Sequence, residues 1–82
     1  MIVEDVVRAY ILENFLFTDD QAELINSDSF LEKGIVDSTG VLEIIAFIEE
    51  EFNLTIEDEE MLPENLDSVE FIVKFIQSKQ TS

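Results

Sequence analysis

Thr39-Gly40-Val41-Leu42-Glu43-Ile44-Ile45-Ala46-Phe47-Ile48-Glu49-Glu50-Glu51-Phe52 is apolar at every position from Val41 to Ile48 except Glu43. No strand-like alternation of apolar and polar residues appears, and the stretch predicts a helix over 39–52. At about 100° per residue, that helix carries Val41, Ile44, Ile45, Ile48 and Phe52 on one side. Leu42, Glu43, Ala46, Phe47 and Glu50 lie largely on the other. The first set is a core stripe. The second mixes apolar side chains with carboxylates, and a chain of 82 residues leaves nothing obvious to cover it. It is therefore expected to be a partner-binding surface.

Upstream, Val3, Val6, Val7, Tyr10 and Ile11 recur at helical spacing with Glu4, Arg8 and Glu13 off the stripe, predicting a first helix over 2–17. Residues 18–37 carry Asp19-Asp20, Asn26-Ser27-Asp28-Ser29 and Gly34, the punctuation of a long structured loop. Thr18 and Gln21 have capping-box spacing for a short turn near 21–25. Phe30, Leu31, Ile35 and Val36 are the anchors that should pin the loop to the core. Downstream, Asn53 and Leu54 stop the central helix, and 56–62 is an acidic connector with room for a helical turn. Pro63 suits the first turn of another over 63–66. Ser68, or Asp67 with Glu70 three residues on, caps a last helix whose buried stripe is Val69, Ile72, Val73 and Ile76. The fold expected is all-α: a small bundle of three main helices plus one or two short helical turns. It forms one domain over 1–78, with a frayed tail at 79–82.

A 46% hydrophobic composition with seven Phe is too apolar for a disordered acidic tail, even at a net charge of −16. The chain contains neither cysteine nor histidine. That excludes thiol nucleophiles, disulfides, Cys/His zinc sites and imidazole acid–base chemistry, so no metal site is expected and any sulfur chemistry is imported. Met1-Ile2-Val3-Glu4-Asp5 is acidic where a secretory signal carries positive charge, and no apolar run is long enough to cross a bilayer. A cytoplasmic protein without membrane association is expected. Arg8, Lys33, Lys74 and Lys79 are the basic residues, and none lies between Gly34 and Val73. Nucleic-acid binding, which needs clustered cations, is excluded. Such a field suits a monomer that meets partners with basic docking surfaces.

Gly34-Ile35-Val36-Asp37-Ser38-Thr39-Gly40 places a serine at the start of the central helix, beside the mixed acidic and apolar surface. Asp and Ser are both ordinary helix caps. In context, the chain resembles the acyl carrier protein family, including the peptidyl carrier domains of peptide synthetases. The likeness runs through Asp28-Ser29-Phe30-Leu31-Glu32, Gly34-Ile35-Val36-Asp37-Ser38, Glu49-Glu50-Glu51-Phe52, Ile56-Glu57-Asp58-Glu59-Glu60 and the closing helix. The resemblance implies that Ser38 receives 4′-phosphopantetheine from coenzyme A and that Asp37 assists the metal-bound assembly of a phosphopantetheinyl transferase. It further implies that Leu42, Glu43, Ala46 and Glu50 face partner enzymes. The family's signature usually has Leu after the serine, whereas this chain has Thr39 and then Gly40. Thr39 removes an apolar contact with the transferase, at a cost of about 1–3 kcal/mol of recognition. A Gly two places after the serine is similar to D-alanyl carrier proteins and to carriers served by adenylate-forming ligases. That points to a specialised pathway, polyketide, nonribosomal peptide or related.

A serine hydroxyl needs an adjacent base to act as a nucleophile, and no histidine is present to supply one. The chain is therefore expected not to be an enzyme. As a stand-alone carrier it would hold acyl or aminoacyl units as thioesters on the pantetheine arm, loaded by a ligase and passed to downstream synthase enzymes. The alternative is an acidic helical interaction module, not phosphopantetheinylated, in which Ser38 is only a first-turn residue.

Overall fold

Helices begin where a side-chain oxygen can take up the free amides of a first turn, and they end where the backbone can turn left-handed. The computed structural model describes residues 2–81. Helix α1 (Val3–Ile11) has Glu4 and Asp5 in its first turn and Arg8 in its last, the charge order that the helix dipole favours. It then widens into a π-helical turn over Leu12–Leu16, and Phe17 closes it in the left-handed region at φ 54°. The Thr18 amide donates back to the Leu12 carbonyl at 3.1 Å. The helical run thus ends at the expected residue, but its wider last turn alters which side chains point inward. Ile11 and Leu12 are both buried, although only Ile11 belongs to the predicted stripe.

Residues 18–37, expected to be loop, contain a 3₁₀ turn at Gln21–Glu23 and the helical turn α2 (Phe30–Lys33). Asp20, not Thr18, caps the first, accepting from the Ala22 amide at 3.0 Å. Thr18 instead accepts from the Asp20 amide at 3.1 Å. Ser29 caps α2 through the Glu32 amide at 3.1 Å, and Gly34 closes it at φ 70°. Arg8, placed by its spacing merely off the apolar stripe, ties this segment to α1. Its Nε donates to Gln21 Oε1 at 3.0 Å, Nη2 to the Gln21 carbonyl at 2.8 Å and Nη1 to Asn26 Oδ1 at 2.5 Å. Phe30 and Val36 are buried and Ile35 half-buried, as their role as anchors requires. Leu31 corrects that expectation: it is 48% exposed, because within a single helical turn Phe30 takes the inward direction and its neighbour points away.

Helix α3 (Ser38–Phe52) starts one residue before its predicted boundary and ends at Asn53, φ 55°. Ile44, Ile45 and Ile48 are buried, Val41 and Phe52 half-buried. A 3₁₀ turn at Asp58–Glu60 and the short helix α4 (Pro63–Leu66) lead to α5 (Val69–Thr81). Of the two candidate caps for α5, Ser68 is used: its buried hydroxyl accepts from the Phe71 amide at 3.1 Å. Asp67 turns back to α2 instead, accepting from the Leu31 amide at 3.0 Å and from the Ser29 hydroxyl. Helix α5 runs through residue 81, with Lys79 Nζ 2.8 Å from Glu60 Oε1 and over the Phe75 ring; residue 82, the end of the expected tail, lies outside the described residues.

The architecture is an all-α bundle with no strand among the described residues. Its core joins Val7, Ile11 and Leu12 of α1, Ile44 and Ile48 of α3, and Ile72 and Ile76 of α5, with Phe30 plugged in from α2. Helices α1 and α5 pack together and α4 rests on α5. Among the described residues no helix is long and apolar enough to cross a membrane.

Candidate functional site

Ser38 is the first residue of α3, and two local features fix the turn that carries it. Asp37 Oδ1 accepts the Gly40 amide at 2.7 Å, satisfying one of the helix's unpaired donors. Gly40 itself is buried, and a Cβ there would lie 2.8 Å from Val36 Cγ1 and 2.9 Å from Phe15 Cε1. The start of α3 is therefore pressed against the residue that leads into it and against the π turn. Ser38, Asp37 and Thr39 remain exposed on this held turn. The Ser38 hydroxyl makes no hydrogen bond among the described residues.

Four of the five residues expected to form the uncovered face do so: Leu42, Glu43, Ala46 and Glu50 are exposed, Leu42 at 63%. Phe47, the fifth, lines the same face but is half-buried, its ring stacked on Tyr10 at 3.9 Å and 12° and edge-on to Phe52 at 6.2 Å. Helix α1 covers this position because Tyr10 leans across it, the phenol donating to the Glu43 carbonyl at 3.3 Å. Burial, and then the Glu43 charge, raise the Tyr10 pKa, so the phenol stays a neutral donor at ordinary pH. What remains is a shallow groove between α1 and α3 lined by Tyr10, Asn14, Glu43, Ala46, Phe47 and Glu50.

Asn14 and Glu43 also line a second hollow, whose other walls include Phe15, Phe17, Ile35, Asp37, Thr39 and Gly40. The two depressions therefore share one border and run along the same side of α3 to the turn that bears Ser38. Phe17 and Tyr10 were not singled out as site residues by sequence reasoning, because the face of α1 that meets α3 is set by tertiary packing and the widened turn. A separate apolar cleft lies at Leu31, Val41, Met61, Leu62, Pro63 and Leu66, which explains where the exposed Leu31 is directed.

Chemically, the arrangement offers an unengaged primary hydroxyl on a rigid turn. Among the described residues no group of three or more carboxylates converges as a metal-binding set. A phosphodiester on Ser38 Oγ would need open space and no internal hydrogen bond to break, and the turn meets both conditions. The fold and site together define a class: a small all-α bundle that displays a serine at the head of its central helix beside an acidic, partly apolar groove. No protein-family model matches the chain.

Proposed function

We propose that this chain is a carrier protein that bears 4′-phosphopantetheine on Ser38 and holds acyl or aminoacyl units as thioesters on that arm. The observation that carries the reading is the exposed, unbonded Ser38 hydroxyl on a turn clamped by Asp37 and Gly40. In the loading step a transferase uses Ser38 Oγ to displace at the pantetheine-side phosphorus of coenzyme A. The pyrophosphate bond breaks, the adenosine bisphosphate half departs and the hydroxyl proton goes to the transferase. The arm then supplies the thiol that a chain without cysteine lacks. Asp37, exposed with one oxygen engaged by the cap, is the carboxylate nearest in sequence to assist the transferase's metal. Thr39 sits beside it where a transferase must make contact. Leu42, Glu43, Ala46 and Glu50 form the face that ligases and synthases with basic surfaces dock on, Phe47 serving from beneath as packing for Tyr10. The chain itself catalyses nothing in this reading; it acts as a monomer in the cytoplasm, in a specialised pathway.

Incubation with coenzyme A, magnesium and a broad-range phosphopantetheinyl transferase is expected to add the pantetheine adduct to the wild-type chain. Ser38→Ala should gain none while keeping its helical circular dichroism and melting temperature. An adduct on Ser38→Ala would overturn the assignment.

A second reading, an acidic interaction module without the arm, draws on one observation: capping alone already accounts for Asp37 preceding Ser38. It predicts an unmodified protein that still binds a basic partner through Leu42, Glu43 and Glu50.

A further inference from the structure

Among the described residues three take left-handed backbone conformations, and each closes a helical segment: Phe17, Gly34 and Asn53. Gly has no Cβ to clash there, and Asn tolerates the conformation through its short polar side chain. Phe17 has neither property. It is also 83% exposed, the most exposed large apolar side chain described, so its ring contributes almost nothing to the core. The left-handed backbone serves to close the π turn, but that closure needs no aromatic ring, and Gly or Asn would provide it at less cost; a bulky ring held exposed on such a backbone is characteristic of functional positions. The location is specific: Phe17 lines the hollow that contains Asp37, Thr39, Gly40 and Glu43, next to Ser38. No cation lines that hollow, its charged walls being Asp37 and Glu43, and Asp19 and Asp20 follow Phe17 in exposed positions.

We infer that Phe17 is an aromatic anchor for the transferase that modifies Ser38, received in an apolar socket rimmed by Lys or Arg. This rests on the carrier reading above. The negative rim selects a basic partner, and a projecting ring inserted into a socket is the kind of contact that dominates interface energetics. The ring projects outward at the hollow whose walls include Asp37 and Thr39, the two neighbours of Ser38, so one partner surface engages both the ring and the serine. Glu43, which lines the same hollow, then belongs to the same footprint.

The test measures kcat/KM of a broad-range phosphopantetheinyl transferase, with coenzyme A and magnesium, on wild type, Phe17→Gly, Phe17→Asn and Ile25→Ala. Both Phe17 variants suit the left-handed backbone and are expected to melt at or above the wild-type temperature, yet to be modified roughly tenfold more slowly or worse. Ile25→Ala, which removes an exposed apolar side chain outside the hollow, should match wild type in both respects. Wild-type rates in both Phe17 variants would overturn the anchor while leaving the carrier reading standing. Equal slowing by Ile25→Ala, or loss of folding in both Phe17 variants, would also overturn it. Absence of any adduct on the wild-type chain would overturn the carrier reading and this inference together.

Discussion

Gly40 shows what a missing side chain accomplishes at the residue scale. Its hydrogen-only position lets Val36 and Phe15 close on the first turn of α3, so the serine two residues earlier is carried on packed backbone. Alanine there gains about 1 kcal/mol of helix propensity but forces two contacts below normal van der Waals distance, with an overpacking cost of about 1–3 kcal/mol. Neither contacting atom is the tip of a long flexible chain, so the cost wins. Gly40→Ala is expected to lose about 1–2 kcal/mol in urea unfolding; unchanged or increased stability would show that the turn is not held this way. The sequence presents Gly40 as part of the attachment motif and not as a packing position, because one of the side chains it touches, Phe15, comes from another part of the chain. The Asp37 cap, by contrast, was legible, since capping joins residues three apart.

At the scale of elements, periodicity carried most of the information. The buried stripes of α3 and α5 were readable because 3.6-residue spacing survives in Ile44, Ile45 and Ile48 and in Val69, Ile72 and Ile76, although Val73 of the expected α5 stripe is only half-buried. Three features were not readable. The π turn at Leu12–Leu16 leaves no mark in hydropathy, α2 is too short to show a period, and the cover over Phe47 depends on how α1 crosses α3. Arg8 is the clearest example of a long-range role concealed by a local one: it sits off the stripe in sequence, yet its guanidinium holds Gln21 and Asn26. Arg8→Met keeps the apolar stem and removes those bonds. It should cost about 1–3 kcal/mol and speed amide hydrogen exchange across residues 18–29 more than in α3. Uniform acceleration along the chain would contradict a local clamp.

For the molecule as a whole, the opposing terms are charge and burial. A net charge of −16 pushes the chain apart. The radius of gyration is nevertheless 11.7 Å, the size of an ordinary compact fold of this length, so the core prevails. Bound or screening cations weaken that repulsion, which favours the fold. Acid acts through Glu60: the hydrogen bond from Lys79, and then the Glu57 amide, lower its pKa. A carboxyl lowered in the folded state contributes stability above its unfolded value of about 4.5 and loses it as pH falls through the folded value. The melting temperature should therefore rise on adding a divalent cation, and fall on acidification below the ordinary Glu range. A flat response to the cation would refute the role given to self-repulsion. The same acidic surface is what a basic transferase would meet on its way to Ser38, and carrier function turns on the chemical state of that one oxygen. Intact-mass and peptide mass spectrometry of the chain recovered from its own cells reads it directly. A pantetheine phosphodiester is expected on the peptide containing Ser38; a chain with Ser38 bare throughout, or with the adduct on another residue, would rule out a carrier acting through Ser38.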